Sequence, residues 1–271
     1  MYKTFAIVIP FFYKNQNSLK QLKRCISSIR NQTFKDYEII LSVQNYFEKI
    51  KNDPFFSAIN ILNAEKVKGF IQGNINNAIK KSTSKWIVFL FSDDYFLSNN
   101  FLKKIFNKLD NKTDWIITGS LHTFNEGKDV GSPLPVIFHK NILSINTVGS
   151  PSGIIVRNKN PLFFDENTWI KLDVDYYYSL FKRYGHPLII KSAFVVNEIH
   201  KDQFSFLLKK ANTATLNKLK KEDQYLMKKY NCKLLSKLNI FILKFLYKLL
   251  KILYSYKYEI TNFISTKFQN S

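Results

Sequence analysis

Hydrophobic positions in the first 120 residues alternate between two rhythms. Short, largely apolar segments, Phe5-Ala6-Ile7-Val8-Ile9, Glu38 to Val43, and Trp86-Ile87-Val88-Phe89-Leu90-Phe91, read as buried strands. Between them the apolar residues recur at helical spacing: Leu19, Leu22, Ile26 and Ile29 stripe a helix over residues 18–32, with Lys and Arg outward. Pro10 closes the first strand, and a polar loop runs to Ser18. Asn60-Ile61-Leu62 makes a short third strand. Gly69 and Gly73 punctuate a loop before a helix over 74–82, and another helix follows over 99–109. Trp115 to Thr118 adds a strand. The alternation predicts an α/β domain, doubly wound, with parallel strands joined by right-handed crossovers.

The pattern weakens between Gly119 and Pro161, where Gly and Pro suit loops. Order returns with Ile154-Ile155-Val156, a Tyr-rich helix from Val174 to Tyr184 stopped by Gly185 and Pro187, and a strand from Leu188 to Val196. Beyond Phe204 everything reads as helix. Two regions follow: a catalytic domain over 1–205 and a helical extension over 206–271. From Leu234 to Tyr256 the chain is dense in Leu, Ile, Phe and Tyr; at about 100° per residue, Lys233, Lys237, Lys244, Lys248 and Lys251 fall in one arc. Lysines recur too often for a transmembrane span. Two readings stand: a basic amphipathic helix in the headgroup region of an anionic membrane, or a helix packed on the catalytic domain or a second copy. The oligomeric state is left open.

A formal charge of +21 calls for anionic partners. Only Arg24, Arg30, Arg157 and Arg183 are arginines, so the charge is almost all lysine, which suits diffuse attraction better than bidentate reading of bases. Nucleic acid is therefore not expected as a partner. Cys25 and Cys232 lie far apart, which fits neither a disulfide framework nor a zinc site, and with no secretory signal evident a reducing cytoplasm is expected.

Ser92-Asp93-Asp94 directly follows the third apolar run. Adjacent carboxylates at a strand's carboxyl end, where open α/β sheets bind ligands, point to a cation that offsets their repulsion. The competing reading is a helix N-cap.

Taken in order, these segments resemble the GT-A glycosyltransferases of family 2. Phe5 to Pro10 is similar to the family's first strand and the start of its nucleotide loop, where Pro10 and Phe11 stand. Ser27-Ser28-Ile29-Arg30-Asn31-Gln32-Thr33-Phe34, the Asn76-Asn77-Ala78-Ile79 helix start, Phe89 to Asp94 as the DXD motif, Leu172-Asp173-Val174-Asp175 as the acceptor-side acidic motif, and the segment from Ile199 through His200 to Ser205 complete the match. The resemblance implies a GT-A, Rossmann-like α/β/α sandwich with a C-terminal helical extension. It implies an inverting transferase that moves a sugar from a nucleotide-diphosphate donor to a glycan or lipid-linked acceptor in bacterial surface polysaccharide synthesis, on the inner face of an anionic membrane.

Residue by residue, it implies Asp94 and His200 as ligands of Mn²⁺ or Mg²⁺ and Asp93 as a ribose contact. Pro10, Phe11 and Asn76 would line the nucleotide, and Asp173 would be the catalytic base, with Asp175 as its competitor. For His200 the plainer reading is an exposed loop histidine; for the two acids, complements to a helix N-terminus. The family's second strand usually ends in carboxylates that read the base. Here it ends in Ser42-Val43-Gln44-Asn45, which leaves Gln44 or Asn45 for a base edge, and Phe91 replaces the motif's first acid. The loop from Gly149 to Gly153 either shapes the acceptor cleft or is an ordinary turn. A sugar-phosphate nucleotidyltransferase fits poorly, because no glycine lies between Pro10 and Ser18. A degenerate, purely binding relative of the same fold is the alternative.

Overall fold

A computed structural model describes residues 2–68, 70–124, 129–200 and 212–269, the backbone alone at 129–130 and from 256 onward. Its frame is β1 (Phe5–Phe11), α1 (Gln16–Arg30), β2 (Tyr37–Val43), α2 (Phe47–Asn52), β3 (Asn60–Asn63), α3 (Ile71–Lys81) and β4 (Trp86–Phe89). Then come β5 (Tyr95–Phe96), α4 (Phe101–Phe106), β6 (Trp115–Phe124), β7 (Asp129–Leu134), β8 (Ile154–Arg157), α5 (Leu172–Tyr184) and β9 (Leu188–Glu198). Two further helices, α6 (Thr213–Tyr230) and α7 (Lys237–Gln269), follow.

Among the described residues nine strands form one sheet in the order β3-β2-β1-β4-β8-β6-β9-β5, with β7 beside β6. The first four pair parallel, as the alternation predicts, whereas β8 runs antiparallel to both β4 and β6. Side-chain alternation splits the core in two. Phe5, Ile7 and Ile9 pack with Leu22, Ile26 and Ile29 of α1 on one face. Ala6 and Val8 pack with Ile75, Ala78 and Ile79 of α3 and with Tyr176 and Tyr177 of α5 on the other. This is the expected α/β/α sandwich.

Several boundaries move. Pro10 lies inside β1, opposite Ser42, rather than ending it. Its missing N–H costs nothing there: it has the parity of Val8, which faces β4, and β4 has ended at Phe89, the partner of Val8. The short strands β5 and β7 and the helix α2 lack any periodic signal. The expected late segment from Lys201 to Ser205, and the expected 205/206 boundary, lie outside the described residues.

The extension is not separate from the sandwich. Glu222 of α6 is buried, and Lys229 pairs with Asp165 and Asp175 at 2.6 and 2.8 Å. Helix α6 thus packs on the sandwich, and α7 lies along β7.

Candidate functional site

The carboxyl ends of β1, β2 and β4 open on one edge of the sheet, and three hydrogen-bonded clusters stand there. The first is at the end of β1. The Phe11 carbonyl accepts from Gln44 N–H at 3.0 Å and from the Asn74 side chain at 3.1 Å, which fixes the turn. Asn45 grips Tyr13 reciprocally: its Oδ1 accepts from Tyr13 N–H at 2.6 Å and its Nδ2 donates to the Tyr13 carbonyl at 2.8 Å. The Tyr13 and Tyr46 rings stack at 4.0 Å and 9°. Asn45 is thus engaged in the loop itself, and Gln44 beside it is half-buried.

Asn76 is the residue expected against the nucleotide. Its amide donates to the Phe164 carbonyl and accepts from Phe164 N–H, both at 2.8 Å, so it ties α3 to the segment leading into α5. Burial at 4 % leaves it to the fold. Phe11 is likewise buried, and its carbonyl rather than its ring shapes the site.

The second cluster is the acidic turn after β4. Asp94, expected as the metal ligand, is the deeper of the pair at 3 % exposure. Its Oδ2 accepts from Asn197 Nδ2 at 2.8 Å and Ser150 Oγ at 3.4 Å, and Ser120 Oγ donates to the side-chain Oδ1 of Asn197 at 2.5 Å. Burial, then the neighbouring Asp93 charge, push the Asp94 carboxyl well above the usual range, against hydrogen bonds from Ser152, Asn197 and the Glu198 N–H. Asp93 is the member that reaches out, and His200 Nε2 lies 3.1 Å from its Oδ2. Arg24 braces the turn from α1: it donates to the Asp93 carbonyl at 3.0 Å and pairs with the buried Glu198.

A hard divalent cation fits these residues. Asp93 Oδ2 and His200 Nε2 are within hydrogen-bonding distance of each other, so one oxygen and one nitrogen donor stand side by side there. Carboxylate oxygen suits Mn²⁺ or Mg²⁺, and an imidazole nitrogen beside it favours Mn²⁺. Among the described residues no group of three His, Cys, Asp or Glu side chains closes a cage, so diphosphate and water oxygens would complete the sphere.

The third cluster separates the two candidate bases. Asp175 is 1 % exposed and locked to Lys229 and to Tyr230 OH, at 2.7 Å, so it is a fold residue. Asp173 is half-buried on a cleft of about 190 Å³ between residues 143–146 and 170–174. Its Oδ1 accepts from Val174 N–H at 2.8 Å and its Oδ2 from Asn146 Nδ2 at 2.6 Å. Burial lifts its carboxyl to about 6, outweighing those hydrogen bonds and the nearby Lys171 charge.

One loop joins the second and third clusters. Asn146 holds Asp173, Ser150 reaches Asp94, and Ser152 Oγ accepts from Phe91 N–H at 2.9 Å. Asn146 and Ser150 are four residues apart, a span of at most about 14 Å. Gly153, at φ +85°, lets this loop close on the sheet: a Cβ there would stand 2.2 Å from Thr118 Oγ1.

The profile of glycosyl transferase family 2 matches residues 6–164, more than half of the chain. The chain belongs to glycosyl transferase family 2. A 103-residue stretch is 31% identical to GalNAc(5)-diNAcBac-PP-undecaprenol beta-1,3-glucosyltransferase of Campylobacter jejuni, covering 34% of this chain and 30% of that protein. The fold superposes on S. aureus TarS 1-349 in complex with UDP-GlcNAc with a TM-score of 0.52 at 17% identity, covering 74% of this chain and 60% of that one. It superposes on the mannosyltransferase PcManGT from Pyrobaculum calidifontis, in complex with GDP-Man and Mn2+, with a TM-score of 0.50 at 9% identity, covering 75% and 59%. The chain thus spans less than two thirds of each of these relatives. Together they establish a GT-A fold with a C-terminal helical extension.

Within this family 2 framework, sequence reading misses Arg24, Asn146, Asn197 and Glu222. Arg24 carries a faint signal as one of only four arginines, on the helix between β1 and β2. Asn146, Asn197 and Glu222 carry none, because each matters only for the group it meets across 27, 103 and 51–53 residues of chain.

Proposed function

We propose that the protein is an inverting glycosyltransferase that uses a nucleotide-diphosphate sugar and an acceptor hydroxyl. The observation that carries this is the 146–152 loop, which holds Asp173 at one end and the acidic turn at the other. The acceptor oxygen attacks the anomeric carbon, its proton passes to Asp173, and the bond from that carbon to the diphosphate oxygen breaks. Attack from the face opposite the leaving group inverts the configuration. Asp93 and His200 would hold Mn²⁺ or Mg²⁺, which offsets the charge on the departing diphosphate. Asp94 keeps the turn in place from behind. Gln44 is assigned to the base edge, and Pro10 and the Phe11 carbonyl set the loop that receives the nucleotide.

Calorimetry with UDP, GDP, CDP and dTDP, each with Mn²⁺ or EDTA, tests the donor site. One diphosphate is expected to bind in a metal-dependent way, and Asp93→Ala to weaken it at least tenfold. Failure of all four to bind wild type would move the weight to a degenerate binding protein.

The acceptor is assigned to a lipid-linked glycan at the inner face of an anionic membrane, in a bacterial surface polysaccharide pathway. Helix α7 supports this. Its inner side docks through Tyr247 OH, which donates to the Pro135 and Thr147 carbonyls at 3.1 and 3.3 Å, and through Ser255 on Ser132. Thr147 is the neighbour of Asn146, so the helix touches the loop that holds the base. Its opposite side turns Leu238, Phe241, Phe245, Ile252 and Leu253 outward, each more than half exposed, with Lys237, Lys244 and Lys248 along one border. A contiguous apolar face of this kind, flanked by lysine, matches a helix lying in the interface. No helix among the described residues is long and apolar enough to cross a membrane. Flotation with vesicles containing phosphatidylglycerol should recover the protein, and Phe241→Lys with Phe245→Lys should release it. Equal recovery of the two proteins would remove the membrane assignment.

A further inference from the structure

Helix α5 starts without a cap of its own. Its N-cap position is Lys171, which makes no side-chain cap bond, and the peptide N–H groups of 169–171 lead straight into Asp173. Three such groups in a row form a concave anion site. A carboxylate from elsewhere in the chain fills it. Glu222 Oε1 accepts from Trp169 and Ile170 N–H at 3.0 and 3.1 Å, and Oε2 from Ile170 and Lys171 N–H at 2.9 and 3.0 Å. Glu222 is 4 % exposed, so these bonds form away from water, where they are stronger and costlier to lose. Asp223, the next residue, pairs with the Lys171 side chain, which also donates to the Leu143 carbonyl at 3.0 Å across the cleft. After α6, Leu235 N–H donates to Ser144 Oγ at 3.0 Å, on the opposite wall. Both walls of the Asp173 cleft are therefore held by the segment that follows the sandwich.

We propose that Glu222 is a positioning residue for the base: by filling the anion site at 169–171 it sets the direction in which Asp173 meets the attacking hydroxyl. The proposal rests on the reading of Asp173 as that base. Glu222 touches neither donor nor acceptor, so its removal should leave donor binding intact and slow the proton-transfer step. Geometry errors near 1 Å at a catalytic group are costly, on the order of 100-fold in rate.

The test uses the full chain and whichever of the four diphosphates binds wild type, with turnover of the matching nucleotide sugar to water as the attacking hydroxyl. In Glu222→Ala, kcat should fall at least tenfold with diphosphate Kd within twofold of wild type. Added formate, a carboxylate small enough for the vacated space, should restore turnover in Glu222→Ala. It should do nothing for Glu222→Gln, whose amide N–H₂ would face the same donors. A merely structural role would not give this split between kcat and Kd, nor the formate rescue. Should both variants fail to bind diphosphate, Glu222→Asp decides: its shorter carboxylate should lower kcat at least threefold at unchanged Kd. Wild-type kcat in these variants beside an inactive Asp173→Asn, or a low kcat that formate leaves unmoved, overturns the positioning role. Wild type that turns over nothing, or an active Asp173→Asn, overturns the base assignment itself and this inference with it.

Discussion

Asp173→Asn should lower kcat for sugar transfer by roughly 10²–10⁴, the range a positioned general base contributes, with diphosphate affinity unchanged. Asparagine keeps the size and one accepting oxygen, so it gives up the proton acceptor together with one of the two hydrogen bonds from Asn146 Nδ2 and Val174 N–H. The pH profile gives a second reading. Burial raises the Asp173 carboxyl to about 6, and only the deprotonated form takes a proton, so activity should rise with pH and level off above about 6. That is well above the reference Asp value of about 3.9. In the variant this acid limb should vanish from the residual rate. An Asp173→Asn enzyme with wild-type kcat would return the base to another group.

The second large effect is on stability. Lys229→Met removes the only described cation that bonds both Asp165 and Asp175, whose side chains are 14% and 2% exposed. Breaking such a pair from one side strands the charge on the other, at a cost of about 3–5 kcal/mol. Burial pushes Asp165 upward, but hydrogen bonds from Lys229 and Tyr225 outweigh it and hold the carboxyl at about 2. The Asp165 contribution is accordingly whole above about pH 3.9, the unfolded value, and is lost as pH falls through about 2. Urea denaturation at neutral pH should show the loss, and titration into acid should show wild type and variant converging. A midpoint unchanged by the substitution would mean that α6 is held by its apolar contacts, Leu226 among them, and not by this ion pair.

The parallel half of the sheet was legible because a strand buried on both faces is rich in apolar residues, and the runs at Phe5, Ile39 and Trp86 are. The two-residue strand β5 was not legible, since two residues carry no period. Nor was β7, where Gly131 and Pro133 read as loop and pairing with β6 overrides them. At the site, Asp173 was marked by its place before a helix, but its preference over Asp175 came from the family resemblance. The structure gives the two side chains different neighbours, Asn146 for Asp173 and Lys229 for Asp175.

The acidic pair shows the same limit. Adjacent carboxylates announce a cation site in one dimension, yet which of them faces outward depends on where Asn197 and Ser150 arrive. The lysine arc of α7 was likewise visible as a 100° pattern, and it could not say which side docks. Tyr247 turns inward toward Pro135 and Thr147, and the apolar side is left facing out.

Sequence alone determined the α/β alternation, the carboxylates at a strand end and the amphipathic extension, because each is written in the spacing of neighbouring residues. Tertiary structure decided which acid of the pair is buried, which neighbours Asp173 and Asp175 meet, and what caps α5. Each of those depends on a hydrogen bond between groups tens of residues apart, and local spacing carries no record of such a meeting.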